Sequence, residues 1–225
     1  MKLKILNGDK RNFIQELTKF LNVRKNTQSK NLFMVKRIVN DVRSNGDKAI
    51  FKYEKKFTKT KKLNEKFALS DGEVLKIIKK LNKETKKSID IAFNRIEKFH
   101  KKQLFKSFKF RDKYQNEMSY RYTPIESVGV YVPGGRANYP SSVLMNCIPA
   151  KVAGVKKIFM TTPLYKTIPN PAVIYAAKKC GVKKIYKIGG AQAVAALAFG
   201  TKKIEKVNKI VGPGNSYVAG AKKEV

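Results

Sequence analysis

The chain has 225 residues, of which 42% are hydrophobic, so it is long enough and apolar enough for a globular protein with one large or two small domains. Its 50 Lys and Arg residues against 16 Asp and Glu give a net charge of +34, which makes nucleic-acid binding a hypothesis to weigh. No apolar run is long enough to span a bilayer and no secretory signal opens the sequence, so we expect a cytoplasmic protein without a membrane partner.

The positive charge is spread along the whole chain and does not form a separate arm. Lys greatly outnumbers Arg, although Arg is the residue that makes bidentate contacts with bases and phosphates. Lys, Asn, Ile, Phe and Tyr share A/T-rich codons, so a biased genome would produce this charge by drift on solvated surfaces. We therefore expect no nucleic-acid partner and keep nucleic-acid binding as an alternative.

Residues 1–122 are predicted to form a mostly helical N-terminal region. Apolar residues recur at helical spacing over residues 9–22, and again from residue 32 to a break at 44-SNGD-47. A further helix is predicted after the break.

A capping-box pattern predicts the next helix start. Ser70 is followed by Glu73 at the required spacing, and apolar positions continue behind them to Phe99 as one long amphipathic helix or two in line. Residues 105–122 alternate aromatic and polar side chains, which indicates a pair of strands.

Residues 123–225 have the pattern of a parallel α/β domain. Four strand-like runs, VGVYV, KKIFMTT, KKIYKIG and VNKIVG, each precede a helix-like run. Four successive βα units predict a doubly wound parallel sheet with helices on both faces, in an α/β fold that is an incomplete Rossmann-like domain.

Each predicted strand ends in a loop of special residues: 131-YVPGG-135, 161-TTP-163, 189-GGAQ-192 and 212-GPGN-215. The carboxyl ends of parallel strands meet at one edge of the sheet, where ligands bind. Glycine permits close approach of the backbone, and N–H groups at the following helix starts suit a phosphate. Together these loops indicate a site for a nucleotide or another anionic ligand. The sequence has neither GxGxxG nor a P-loop, so neither of these two common nucleotide-binding motifs forms the site.

Three residues of these loops are candidates for binding the ligand. Tyr131 ends a strand, where its ring either stacks on a ligand or packs in the core. Gln192 and Asn215 lie at the starts of apolar helices, where they either contact a ligand or cap the helix. The residues alone leave both alternatives open.

The blocks VGVYVPGGRANYPSSVLMNCIPAKVAGVKKI, KIGGAQAVAALAFGT and VNKIVGPGNSYVAGAKK resemble blocks of the histidinol dehydrogenase family, and VRSNGDKAIFKYEKKF resembles its N-terminal helical region. The resemblance implies a zinc-dependent homodimer that oxidises L-histidinol to L-histidinal and then to L-histidine, with two hydride transfers to NAD. It also implies that Tyr131, Gln192 and Asn215 contact NAD. Ser127 stands where the family pattern leads us to expect Arg.

The resemblance further implies zinc ligands (Gln, His, Asp and His) and a Glu–His acid/base pair in the second half of the family, which this chain does not reach. The one histidine, His100, is expected to be a partly exposed helix residue. Cys147 and Cys180 lack metal spacing and are expected to be reduced core residues. We therefore expect no catalytic and no zinc-binding residue in this chain, and we expect that Val225 is not its natural end.

Two hypotheses follow. The first is an N-terminal, NAD-binding portion of a histidinol dehydrogenase that is inactive by itself. The alternative is a non-catalytic nucleotide-binding remnant of a decaying gene, which would bind the dinucleotide without turnover.

Overall fold

A computed structural model gives the structure of residues 5–58, 66–134, 139–163 and 169–225, without the side chains of residues 23–31. Within these ranges the chain forms both helices and strands. The helices are α1 (Phe13–Asn45), α2 (Asp47–Thr58), α3 (Asp71–Ile78), α4 (Lys83–Lys101), α5 (Pro140–Val152), α6 (Pro171–Lys179), α7 (Gly190–Phe199) and α8 (Ser216–Glu224). The strands are β1 (Phe108–Arg111), β2 (Glu117–Tyr120), β3 (Ser127–Tyr131), β4 (Lys157–Thr161), β5 (Lys184–Tyr186) and β6 (Lys209–Val211).

The last four strands form one parallel sheet in the order β5-β4-β3-β6. The chain builds outward from β3 through β4 to β5 and then crosses back to place β6 on the other side of β3. This reversal between β3 and β6 is a topological switch point, the position at which doubly wound sheets bind ligands. The predicted α/β fold with a parallel sheet is confirmed.

Alternating strand residues contact two apolar cores, one on each face of the sheet. Val128 and Val130 of β3 pack with helices α3 to α6, whereas Tyr131 and Phe159 pack with α1, α2, α7 and α8. Helices of the N-terminal region therefore cover both faces of the sheet. The predicted division between residues 1–122 and 123–225 stays a prediction.

The predicted break after the first helix lies at Gly46, whose φ of 50° ends α1. The two helical patterns before it belong to one continuous helix of 33 residues. Ile14, Phe20 and Phe33 nevertheless remain 68%, 41% and 76% exposed. Helical spacing decides which residues share a face, but it does not decide what covers that face.

The predicted capping box is confirmed. The Glu73 backbone N–H donates to Ser70 Oγ at 3.3 Å, and the Ser70 N–H donates to Glu73 Oε2 at 2.8 Å. The apolar pattern behind it divides into two helices because Asn82 caps α4, accepting the Thr85 N–H on Oδ1 at 2.7 Å.

The predicted strand pair is an antiparallel hairpin of β1 and β2. Both strands are exposed along their length. Phe108 and Tyr120 stack across the hairpin with ring centroids 6.0 Å apart, so neighbouring aromatic rings cover one another.

Four other residues considered in the sequence behave as expected or have a local role. His100 is half-buried near the end of α4, and Cys147 and Cys180 are buried and free. Ser127 Oγ donates to Asn208 Oδ1 at 2.7 Å, which ties the start of β3 to the segment before β6.

Candidate functional site

The loops at the carboxyl edge of the sheet meet around Pro163. A Cβ added to Gly134 would lie 2.6 Å from the Pro163 carbonyl oxygen, and one added to Gly189 would lie 2.5 Å from Pro163 Cβ. The loops after β3, β4 and β5 are therefore in direct contact. Gly135, the last residue of the first predicted loop, lies outside the described residues.

The loop after β6 packs on the end of β3. A Cβ at Gly212 would overlap the carbonyl oxygen of Tyr131, and the Gly212 φ of 108° also favours glycine. Lys222 Nζ donates to the Gly212 carbonyl oxygen at 2.6 Å and holds the loop from α8. The sequence prediction that loops after β3 and β6 converge is thus met by direct backbone contact.

The start of α7 is capped by side chains from distant elements. Gly189, the residue before α7, provides no side-chain cap. The Gly189 N–H donates to Glu54 Oε1 of α2 at 2.9 Å, and the Gly190 N–H donates to the Tyr131 hydroxyl of β3 at 3.0 Å. Gly190 has a φ of 64°, so this turn requires glycine.

The expectation that the helix starts direct N–H groups toward a phosphate is modified by these contacts, because protein side chains already accept hydrogen bonds from those groups. The N–H groups of Gly189 and Gly190 are already engaged by side chains. At α8, Asn215 Oδ1 accepts the N–H groups of Tyr217 and Val218, both at 3.1 Å. A phosphate at any of these four N–H groups would first have to displace a protein acceptor.

Gln192 lies in the first turn of α7 and is only 2% exposed. Its Nε2 donates to Glu54 Oε1 at 2.9 Å. Its Oε1 is buried and has no hydrogen-bond partner among the residues that the structure describes. The sequence did not predict that this side chain would be directed into the protein.

Two further buried polar atoms lack a partner in the described part of the chain, Glu54 Oε2 and Thr161 Oγ1. Thr161 pairs in register with Tyr131 on one side and with Tyr186 on the other. Paired residues of neighbouring strands lie on the same face of a sheet, so Thr161 shares the face that Tyr131 and Tyr186 occupy. Buried polar atoms are rarely unpaired, and several together at one sheet edge favour a ligand site.

Burial governs the ionisation of this site. It is the main reason that the pKa of Glu54 lies above the ordinary glutamate value, although the hydrogen bonds from Gly189 and Gln192 lower it in part. Burial also raises the pKa of Tyr131, which the Gly190 N–H partly lowers and nearby Glu54 raises further. The Tyr131 phenol is therefore neutral near pH 7.

The structure brings two of the three predicted site residues together. Tyr131 and Gln192 meet around the Gly189–Gly190 turn, through contacts that include Glu54. Asn215 is exposed and caps α8, and no hydrogen bond joins it to the other two within the described ranges. Asn215 Oδ1 accepts the capping hydrogen bonds of α8, so Nδ2 is the group of Asn215 that would contact a ligand.

Sequence reasoning missed Glu54, which is completely buried. A signal for it existed, because Glu54 follows Ile50 by four residues and so continues the apolar face of α2. A carboxylate at such a position is unusual and indicates a buried polar contact.

The described residues contain no group of three or more His, Cys, Asp and Glu side chains that could hold a metal ion. In the same ranges, none of the helices combines the length and the hydropathy of a membrane-spanning segment.

Comparison with known proteins gives one consistent family. A family model described as histidinol dehydrogenase matches residues 21–225. The histidinol dehydrogenase of Pelagibacter ubique (strain HTCC1062) is 54% identical over 223 residues, which are 99% of this chain and 51% of that protein. The histidinol dehydrogenase of Rhizobium meliloti (strain 1021) is 45% identical over 213 residues, covering 95% of this chain and 49% of that protein.

A solved structure agrees with this result. The crystal structure of histidinol dehydrogenase from Elizabethkingia anophelis matches with a TM-score of 0.80 and 39% sequence identity, over 84% of this chain and 44% of that one. The chain spans about half the length of the curated relatives it matches. The resemblance seen in the sequence blocks is confirmed.

Proposed function

Since the chain belongs to the histidinol dehydrogenase family, we propose that it supplies the NAD-binding portion of an enzyme that oxidises L-histidinol to L-histidine in histidine biosynthesis. The observation that carries the NAD-binding part is the meeting of Tyr131 and Gln192 around one glycine turn at the carboxyl edge of the sheet.

The described residues fit a dinucleotide in three respects. The edge contains a topological switch point, Tyr131 and Gln192 meet at that edge, and buried Gln192 Oε1 lacks a partner among these residues. Tyr131, Gln192 and Asn215 would hold NAD, which when bound accepts hydride from the carbon being oxidised.

Several further statements belong to the proposal. Residues 123–225 form the NAD-binding domain, and residues 1–122 belong to a domain completed by chain beyond this sequence. The exposed apolar residues of α1 and of the hairpin support the completion by further chain, whereas the packing of α1 to α4 on both faces of the sheet does not favour the division itself. The homodimer, L-histidinol as substrate and the cytoplasmic location rest on the family alone.

Zinc belongs to the proposal only for the whole enzyme. The described residues do not fit a zinc site, so the proposal assigns this chain no zinc ligand and no acid/base step.

The test has two parts. NAD is titrated into the 225-residue chain, and binding in the micromolar to millimolar range is expected. The chain is then joined to the remaining half of the Pelagibacter ubique relative, and NAD-dependent oxidation of L-histidinol is measured with zinc present.

Each outcome separates the hypotheses. Turnover by the joined protein supports the proposed function, whereas NAD binding without turnover supports the non-catalytic remnant. Absence of NAD binding together with tight DNA or RNA binding that falls steeply with salt would instead favour a nucleic-acid partner.

A further inference from the structure

Glu54 has a buried carboxyl group, and only one of its two oxygens accepts hydrogen bonds from the described residues. It is 0% exposed, and both hydrogen bonds that the described residues give its side chain reach the same oxygen, Oε1. The donors are the Gly189 N–H and Gln192 Nε2, each at 2.9 Å, while Oε2 has no partner among the described residues. No cation among the described residues pairs with it, and a buried carboxyl without such a partner is costly, so its position calls for a specific role.

The contacts at Glu54 Oε1 indicate the direction of the Gln192 amide. A backbone N–H can only donate, so Glu54 Oε1 is an acceptor in this contact. The oxygens of an ionised carboxylate only accept, so the Gln192 atom that faces Oε1 of an ionised Glu54 is the donor, Nε2, as the structure has it. Gln192 Oε1 is consequently the end that is turned away from Glu54, and it is the atom without a partner.

We propose that Glu54 is a positioning residue that orients Gln192, so that the Gln192 carboxamide presents its oxygen as an acceptor to a hydrogen-bond donor of the dinucleotide. The inference rests on the proposed NAD-binding function. The donors of NAD are the ribose hydroxyls, the nicotinamide carboxamide N–H group and the adenine amino group. The phosphates are excluded as partners of Gln192 Oε1, because a phosphate oxygen and a carboxamide oxygen are both acceptors.

Access to this acceptor involves the neighbouring turn. Gln192 Oε1 is buried, and a Cβ added to Gly190 would lie 2.8 Å from it. The oxygen therefore occupies the space that a side chain at residue 190 would fill, and the proposal requires the Gly189–Gly190 turn to shift before a ligand reaches it. Glu54 bonds both Gly189 and Gln192, so it links the position of the turn to the orientation of the amide.

Three variants of the 225-residue chain test the role of Glu54. Glu54→Met removes the acceptor at similar length, whereas Glu54→Gln keeps an acceptor oxygen. Tyr53→Phe is the matched control, because it lies on the same helix and loses a hydrogen bond to Asp41 Oδ2 of 2.8 Å without touching the turn.

Two measurements are made on each variant. The first is the dissociation constant for NAD by calorimetric titration. The second is the NMR signal of the Gln192 side-chain amide in ¹⁵N-labelled protein without NAD. We expect Glu54→Met to weaken NAD binding about tenfold or more and to shift the amide signal. Glu54→Gln should restore most of the affinity and the signal, and Tyr53→Phe should change neither.

A second test identifies the NAD group that donates to Gln192 Oε1. It uses the unaltered protein, so it still gives a result if the Glu54→Met chain does not fold. Three analogues of NAD are titrated: one with an acetyl group in place of the nicotinamide carboxamide, one with purine in place of adenine, and one without the ribose 2′- and 3′-hydroxyls. We expect at least one analogue to bind about tenfold more weakly than NAD, and Gln192→Leu to remove that difference.

The outcomes separate the two proposals. If the unaltered chain does not bind NAD, the proposed function of this chain fails, while the amide signal still decides whether Glu54 orients Gln192. An amide signal that is the same in Glu54→Met and unaltered chain overturns the positioning role. Equal affinity for NAD and all three analogues overturns the acceptor role of Gln192.

Discussion

Glu54 and Gln192 are 138 residues apart in the chain, and Gln192 Nε2 donates to Glu54 Oε1 at 2.9 Å in the buried interior. The same oxygen accepts the Gly189 N–H. This contact joins α2 to the start of α7 at the edge where the candidate site lies. The N-terminal helices thus support the site directly, in addition to covering the sheet.

Replacing Glu54 by Gln should change how stability depends on pH. Burial raises the folded-state pKa of Glu54 above the ordinary value of 4.5, so the folded chain binds this proton more tightly than the unfolded chain. The resulting stabilisation is full below 4.5 and is lost as the pH rises through the folded-state pKa. One such group changes the free energy of unfolding by at most about 1.4 kcal/mol per pH unit.

Urea unfolding between pH 5 and pH 8 measures this effect as the difference between the unaltered chain and Glu54→Gln. Tyr131 is the titratable neighbour that contacts the same turn, and its raised pKa keeps it neutral over this range. The variant should gain stability relative to the unaltered chain as the pH increases. A difference that stays constant with pH would show that the Glu54 pKa is not raised by folding.

Gln192→Ala should raise the NAD concentration needed for half-saturation about tenfold, because the variant lacks the acceptor oxygen. The free energy of unfolding should fall by about 1–2 kcal/mol, because the Glu54 side chain loses one of the two donors that contact it. Calorimetric titration and thermal unfolding on the same sample measure the two effects. An unfolded Gln192→Ala chain would instead support a purely structural role for this residue.

Asn215→Ala should lower stability by about 1 kcal/mol through loss of the α8 cap and should also weaken NAD binding. Asn170→Ala is a matched control, because Asn170 Oδ1 caps α6 through the N–H groups of Ala172 and Val173 in the same way. Both variants should show similar unfolding shifts by circular dichroism. If NAD affinity falls equally in both, Asn215 is a helix cap and not a ligand contact.

Gly212→Ala should destabilise the chain by about 3 kcal/mol or more, because the new Cβ would overlap the Tyr131 carbonyl oxygen at a positive φ. Gly181→Ala separates the two causes. Gly181 has a φ of 79° but no atom within 4 Å of an added Cβ, so only about 1 kcal/mol is expected. Equal unfolding free energies for the two variants would mean that the β6 loop does not pack on β3 as described.

Local patterns predicted much of the structure. The Ser70–Glu73 capping box and the end of α1 near Gly46 depend on residues close together in sequence, so they were predictable from spacing and residue type. The four βα units were predictable for the same reason, and their parallel pairing follows from the connections. The candidate site was predicted as a set of loops, with Tyr131, Gln192 and Asn215 as its residues.

The remaining features depend on long-range contacts. The exposed apolar residues of α1 have the spacing of a buried face, yet spacing carries no information about which element packs on that face. In the same way, the sequence pattern predicted that the N–H groups of Gly189 and Gly190 would be available to bind a phosphate. Only the tertiary structure showed that Glu54 and the Tyr131 hydroxyl accept them.

By itself, the sequence determined the order of helices and strands, the edge on which the loops gather and the family, because these follow from periodicity, local chemistry and long matching blocks. The tertiary structure alone decided the strand order, the partner of each N–H group and the orientation of Gln192. Those features arise when segments more than a hundred residues apart exclude water together, so that hydrogen bonds and pKa values depend on neighbours that no local pattern specifies.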